Sequence, residues 1–378
     1  MIITRKIEIF VCENDKDLRK HYYDRLYELR DTARDAANAA SSHLFMLDNT
    51  IPYLDEKSKE SIQFIGTKGT PASRQNAAYC LMSNLFKEKG KCMDMLSNLA
   101  QYVTKNYQND RKQGMWNKSL RSYKNNIPMP YQKKSFLNFG FRSYTGVDGK
   151  QQEGCFFSVA GIPFQMKFGR DRSGNRLIVE RVLSGEYKMS TSSIKCDGNK
   201  VYLLLCVDIP NAKYKPKEKN PLYAFLGVMN PIVCVKDIKA YREESSKARV
   251  FEIGTREEFN HRRTEIQEAV RRRQINNKYA VGGHGRKAKT KAIERWHDKE
   301  SNYVSTKLHT YSRMLVDMAV KYKCDEIVLM NQEHREEEAK EGNKKGENYM
   351  LRNWSYYGLK DKIAYKCKKY GIKLTIEK

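Results

Sequence analysis

Apolar residues recur with two different periods along the chain, and the switches between them outline its elements. Ile2 to Val11 alternates, with Ile7, Ile9 and Val11 on one side, as a half-buried strand does. From Asn14 the spacing turns helical: Leu18, Tyr22, Leu26, Leu29, Ala33, Ala36 and Ala40 share a face, and Asn14 or Asp15 is placed to cap it. A second helix is expected from Thr70-Pro-Ala-Ser73, where Pro71 suits the first helical position, through Tyr79, Leu81 and Leu85 to Gly90. A third is expected from Lys91 to about Tyr107. Strands are predicted at Ser135 to Phe141, Cys155 to Val159, Phe164 to Phe168, Arg176 to Leu183 and Lys200 to Ile209. Asp148-Gly, Ser173-Gly-Asn and Asp197-Gly-Asn supply turns between them.

With Ile2 to Val11, these strands are expected to close a small barrel interrupted by the helices. The lysine-rich stretch 211–221 reads as a solvated linker. Beyond it, strands are predicted at Leu222 to Met229, Ile232 to Lys236 and Arg249 to Ile253, then a helix from Arg256 to Lys278. Val281-Gly-Gly-His-Gly285 breaks the chain, and a long helix follows from Arg286 to Tyr322. A strand at Glu326 to Met330, a helix at Trp354 to Lys369 and a strand at Ile372 to Ile376 complete the order. This order suits a ribonuclease-H-like sheet, a fold that usually carries metal-binding carboxylates at strand ends. The predicted class is α+β and multidomain, divided as 1–12 and 111–210 for the barrel, 13–110 for the inserted helices, and 222–378 for the last domain.

Charge narrows the function. The 378 residues carry 71 Lys and Arg against 45 Asp and Glu, a formal +26. Such an excess repels itself unless a polyanion is the normal partner, which points to nucleic acid. A membrane-surface protein would show a basic amphipathic helix or a lipidation site, and neither is found. No apolar run is long enough to span a bilayer, and Met1-Ile-Ile-Thr-Arg lacks the apolar stretch of a signal peptide, so a cytoplasmic location is expected. The nine cysteines have no repeated spacing and read as reduced core residues.

Three kinds of residue are candidates for contact with nucleic acid. Arg262, Arg263, Arg271, Arg272 and Arg273 lie on one predicted helix, and Arg286, Lys287, Lys289, Lys291 and Arg295 open the next. They suit a phosphate backbone, or form an ordinary solvated face. Tyr123, Tyr131, Phe136, Phe139, Phe141 and Tyr144 could stack on unpaired bases or fill a core. Ser73-Arg-Gln-Asn76, at a helix start, could read base edges or serve as a cap. His284 and His309 read as loop and helix-face residues. No nucleophile elbow, phosphate loop or dinucleotide fingerprint appears.

The run Lys287 to Asp317, with Ala319, Glu326-Ile-Val-Leu329 and Trp354 to Gly371, resembles the RuvC core of the transposon-encoded TnpB nucleases and their relatives, the compact type V CRISPR effectors. The earlier segments are similar in order to that family's wedge barrel and helical recognition domain. The resemblance implies three carboxylates holding two metal ions. It sets the first at Phe225, within Ala224-Phe-Leu-Gly-Val228, and the second at Met330, after Ile327-Val-Leu329. The third is expected beyond a zinc ribbon that would follow Lys378. Neither Phe nor Met binds a hard cation. Residual carboxylates lie nearby, notably Asp237, Glu326 and Glu333.

The similarity is therefore closest to the nuclease-dead TnpB-like repressors of prokaryotes. It implies no catalytic cofactor, no catalytic residue and no metal. A guide RNA is the expected bound partner and double-stranded DNA with a short flanking motif the target, RNA polymerase being blocked indirectly. Ser73, Arg74, Gln75, Asn76 and Tyr79 are expected at the flanking motif, and Lys118, Arg121, Tyr123 and Lys124 on guide RNA. Arg271, Arg272, Arg273, Arg286, Lys287, Lys289 and Lys291 are expected on the heteroduplex.

Overall fold

The computed structural model describes residues 1–58, 74–86, 92–114, 120–145, 151–169, 174–227, 230–243, 249–278, 285–330 and 356–377. Side chains at 74–76, 277–278, 285–298 and 356–357 are not described. The chain divides into two units, residues Ile2–Ile209 and Pro210–Lys378 with Met1.

In the first unit, strand β1 (Ile2–Val11) leads into helix α1 (Lys16–Thr50). Asp15 caps that helix, its carboxylate accepting from the amides of Asp17 and Leu18 at 2.8 and 3.2 Å. The face carrying Leu26, Leu29, Ala33, Ala36, Ala37, Ala40 and Leu44 is buried. Its small residues let α1 approach α2 (Arg74–Phe86) and α3 (Met93–Lys112) closely. The helix runs ten residues past Ala40 because Leu44 continues the same face.

The remaining elements are β2 (Met129–Tyr131), β3 (Leu137–Thr145), β4 (Gln151–Val159), β5 (Ile162–Lys167), α4 (Asn175–Leu183), β6 (Lys188–Met189), β7 (Ser192–Asp197) and β8 (Lys200–Asp208). The strands form one sheet in the order β2-β7-β8-β1-β5-β4-β3, with β6 also on β8. Among the described residues β2 and β3 remain edges, so the expected closed barrel is an open sheet. Both edges carry features that stop pairing. Pro130 in the three-residue β2 has no amide hydrogen to donate. On β3 the register shifts between Leu137 and Gly140, where Asn138 has φ 53°.

Segment 176–183 is helix, not strand. Its β-branched residues favour a strand locally, yet Ile178, Val179 and Val182 are buried at helical spacing and Arg176 pairs with Glu180 four residues on at 3.0 Å. Gly174, with φ 68°, begins this helix instead of turning a hairpin. Strand β7 escapes the apolar pattern because Ser192 takes one of its inward positions beside Ile194 and Cys196. Asp197-Gly-Asn does form the expected two-residue hairpin to β8, Asp197 facing Lys200.

The second unit contains β9 (Lys217–Phe225), β10 (Ile232–Val235), α5 (Ile238–Glu243), β11 (Val250–Ile253), α6 (Arg256–Lys278), α7 (Gly285–Lys321), β12 (Cys324–Met330), α8 (Tyr356–Tyr370) and β13 (Lys373–Ile376). Its five-stranded sheet has the order β11-β10-β9-β12-β13. The first three strands run antiparallel, while β12 and β13 are parallel to β9. Leu222, Ala224, Ile232, Cys234, Ile327 and Leu329 share a core with Leu308, Tyr311, Leu315 and Ala319 of α7 and Leu359, Ile363 and Cys367 of α8.

Strand β9 begins inside the stretch that composition assigns to a linker. The lysines at its start are exposed, but Asp325 accepts the amides of Lys219 and Asn220, both at 2.9 Å. Asn220 in turn donates to the carbonyls of Tyr322 and Lys323 at 2.9 and 3.0 Å. The backbone partners that define this strand lie about a hundred residues away, where local composition cannot reveal them.

Candidate nucleic-acid interface

Phe225 and Met330 are direct neighbours, paired in register across the parallel β9 and β12 strands. Side chains on facing residues of neighbouring strands share a sheet face. Here that face is opposite to the one where Ala224 and Leu329, also register partners, join the core. Met330 is buried, and the half-buried Phe225 ring lies 5.3 Å from the ring of Tyr241. Val233 of β10 faces Phe225 on the other side. An apolar cluster therefore fills the place where the family resemblance expects two carboxylates. Phe225, Met330 and Val233 offer no oxygen ligand, so these residues do not fit a hard metal ion.

Two of the carboxylates singled out in the sequence, Asp237 and Glu326, are engaged elsewhere. Asp237 accepts the amides of Lys239 and Ala240 at 3.0 and 3.1 Å, capping α5. Glu326 accepts from the Thr375 hydroxyl and pairs with Lys373 at 3.0 Å, and these two partners hold it below the usual carboxylate range. It lies four residues before Met330 on β12, about 13 Å along the strand. Glu333 lies outside the described residues. Among the described residues, no group of three or more His, Cys, Asp or Glu is arranged to hold a metal.

The expected contact residues divide among several elements. Arg271 and Arg272 are exposed on α6 and Arg273 is half-buried. Arg272 pairs with Glu268 at 3.3 Å, but both partners are largely exposed, so the guanidinium stays accessible. Arg263 differs: it is buried and donates to Glu300 of α7 at 2.7 Å, joining the two helices. Arg286, Lys287, Lys289 and Lys291 stand on the first turns of α7, with side chains outside the described set.

In the first unit, Arg74, Gln75, Asn76 and Tyr79 lie on the first two turns of α2, and the Tyr79 side chain is half-buried. Ser73 and Lys118 lie outside the described residues, as do Asp148-Gly, Ser173, 281–284 and Trp354. Arg121 makes a two-point pair with Asp110 at 2.7 and 2.6 Å. Tyr123 is 8% exposed, and burial pushes its hydroxyl up to about 12. Its backbone exchanges two hydrogen bonds with the Asn38 side chain at 2.8 and 3.0 Å, tying this segment to α1. Lys124 is exposed.

Phe156 and Arg142, not singled out in the sequence, lie beside the candidate Tyr144 on one face of β3 and β4. Phe156 follows Cys155 and precedes Phe157 on one strand, so the two phenylalanines face opposite ways: Phe157 is 2% exposed in the core and Phe156 is half-exposed outside. Arg142 lies over the Phe156 ring at 5.6 Å, and Tyr144 meets it edge-on at 5.6 Å. Strand alternation within Cys-Phe-Phe-Ser158 was the available signal.

No family model matches the chain. It is 34% identical over 209 residues to the CRISPR-associated endodeoxyribonuclease Cas12f1 of Sulfoacidibacillus thermotolerans, covering 54% of this chain and 45% of the relative. A second Cas12f1, from Syntrophomonas palmitatica, is 39% identical over 90 residues, covering 24% of this chain and 17% of that one. The chain thus spans less than half the length of these curated relatives in its matched part. Its α+β fold matches the protein in a Cas12f1-sgRNA-target DNA complex with a TM-score of 0.65 at 15% identity, covering 100% of this chain and 89% of that one. Among the described residues, no helix is long and apolar enough to cross a membrane.

Proposed function

We propose that this chain is an RNA-guided DNA-binding protein that holds double-stranded DNA without cutting it. The observation that carries the reading is the register pairing of Phe225 with Met330 in an apolar cluster. An active nuclease of the kind the chain resembles needs oxygen ligands at both positions to hold its metal ions. The strand order of the second sheet, three antiparallel strands with two parallel ones after them, supports a RuvC-like, ribonuclease-H-like scaffold. The similarity to Cas12f1 and the fold shared with a guide-loaded, DNA-bound chain support guide RNA and duplex DNA as partners.

In this reading base pairing carries sequence specificity and the protein grips backbone. Ser73, Arg74, Gln75 and Asn76, with Tyr79, read a short flanking motif. Lys118, Arg121, Tyr123 and Lys124 hold guide RNA, Tyr123 through the placement of its backbone. Arg271, Arg272, Arg273, Arg286, Lys287, Lys289 and Lys291 line the heteroduplex. Bound over a promoter in a prokaryotic cytoplasm, the complex represses transcription by blocking RNA polymerase.

Sequencing the RNA that co-purifies with the chain tests the reading first. A single enriched species is expected, a scaffold followed by a guide segment that pairs with one DNA target, and a random or absent RNA population overturns the proposal. Guided cleavage of target DNA in Mg²⁺ or Mn²⁺ favours a divergent nuclease instead.

A further inference from the structure

Helices α7 and α8 pack together in the second unit, Leu308 and Leu315 of one and Leu359 and Ile363 of the other lying in its core. Beside that apolar seam the helices gather a group of cations. His309, Ser312 and Arg313 are three and four positions apart on α7, and Lys362 and Lys366 are four apart on α8, so each set lies on one side of its helix. The half-buried Lys366 amine donates to the His309 carbonyl at 2.7 Å and to the Ser312 hydroxyl, which itself donates to the Leu308 carbonyl at 2.6 Å. These bonds fix the amine over one turn of α7. An ammonium has three hydrogens, so one donor remains for a ligand.

The charge around this amine is one-sided. Lys362 and Arg313 both act on it, and Asp317 of α7 is the carboxylate that opposes them. Asp317 is already paired with Arg313 at 3.0 Å, and both side chains are largely exposed, so that pair is weak and leaves the other guanidinium donors accessible. Among the described residues no carboxylate forms an ion pair with Lys362 or Lys366. Tyr370 of α8 lies within charge range of Arg313. His309 borders both lysines, and its pKa is lowered by desolvation first and then by Lys362 and Lys366. Crowding an amine among like charges costs stability, and here burial, then Lys362 and Arg313, push Lys366 down to about 8. An anion relieves such a conflict, and conflicts of this kind mark functional positions. Amines on flexible stems meet phosphate as point charges, and the formal +26 favours a polyanion as its source.

We propose that the face formed by α7 and α8 holds one backbone phosphate of a bound nucleic-acid strand between Lys362, Lys366 and Arg313. The inference rests on the nucleic-acid-binding reading and adds a contact outside the residues already assigned to it. Because the phosphate favours the charged amine, strand binding is coupled to uptake of a proton by Lys366.

The test uses the full chain freed of co-purified RNA. Anisotropy of fluorescein-labelled single-stranded RNA, single-stranded DNA and duplex DNA is followed at constant salt from pH 7 to pH 9.5. Arginine keeps its charge throughout, so Lys366→Arg is the reference, binding within about threefold of wild type at pH 7. Relative to it, wild type is expected to lose about 5- to 30-fold in affinity for at least one probe by pH 9.5, and that probe identifies the strand. Lys366→Met is already weakened at pH 7 by a similar factor. Lys362→Gln lowers the slope of log affinity against log salt by about 1. A lysine with a structural role alone gives wild type the same pH profile as either Lys366 variant, and that result overturns the site while leaving the nucleic-acid reading intact. The same profile together with a melting temperature raised by inorganic phosphate in wild type, but not in Lys366→Met, assigns the site to free phosphate and equally overturns the proposal. Failure of wild type to bind any of the three probes overturns both.

Discussion

Phe225 on β9 and Met330 on β12 face one another in register, and both turn away from the helical core. Neighbouring strands are about 5 Å apart, so carboxylates placed at both positions would repel at close range. The double variant Phe225→Asp with Met330→Glu therefore unfolds at lower temperature than wild type at pH 7. It recovers part of the loss at pH 5, because each carboxylate raises the other's pKa and protonation removes the repulsion. Circular dichroism melts at the two pH values check this. An equal loss at both would contradict the facing geometry.

Gly254 has φ 74°, and a Cβ there would lie 2.5 Å from the ring of Tyr311, which is 2% exposed in the core of the second unit. Gly254→Ala is expected to destabilise that unit by about 2–4 kcal/mol, combining left-handed strain with overpacking. Urea unfolding measures it, and a change under about 0.5 kcal/mol contradicts the packing.

Lys366 on α8 donates to the carbonyl of His309 at 2.7 Å and to the Ser312 hydroxyl. Burial lowers its pKa to about 8, reinforced by Lys362 and Arg313 and opposed by Asp317. The folded state therefore binds fewer protons than the unfolded chain between about 8 and the ordinary lysine value near 10.4. Stability from this group rises with pH across that window and is lowest below it. Against Lys366→Met, wild type gains relative stability from pH 7.5 to pH 10. A constant difference in melting temperature between the two proteins would argue against the shift.

Much of the second unit follows from periodicity. The helix over 256–278 is read to the residue, and β10, β12 and β13 within one or two, because a clean apolar pattern coincides with one buried face. The first unit is less legible where tertiary contacts override local preference. Ile178, Val179 and Val182 look like strand residues and fold as helix, and Ser192 hides a strand. Likewise Asp325 recruits Lys219 and Asn220 into β9 from across the unit. For the site, the family resemblance singles out Phe225 and Met330 and the strand register shows them to be neighbours, while Phe156 is legible only in the alternation of its strand.

Arg271 and Arg272 test the backbone grip. Each phosphate contact contributes about 0.9 to the slope of log affinity against log salt on duplex DNA. Arg271→Ala with Arg272→Ala is expected to lower that slope by about 1 to 2 and to weaken all sequences alike. Fluorescence anisotropy between 50 and 200 mM salt reads it; an unchanged slope removes these residues from the interface.

The most direct measurement loads the chain with its co-purified RNA and offers matched and mismatched duplex DNA in Mg²⁺ and in Mn²⁺, following binding by gel shift and strand integrity on denaturing gels. The account predicts tight binding of the matched duplex alone, with both strands intact after prolonged incubation. Cleavage of the matched duplex, in either metal, would contradict it.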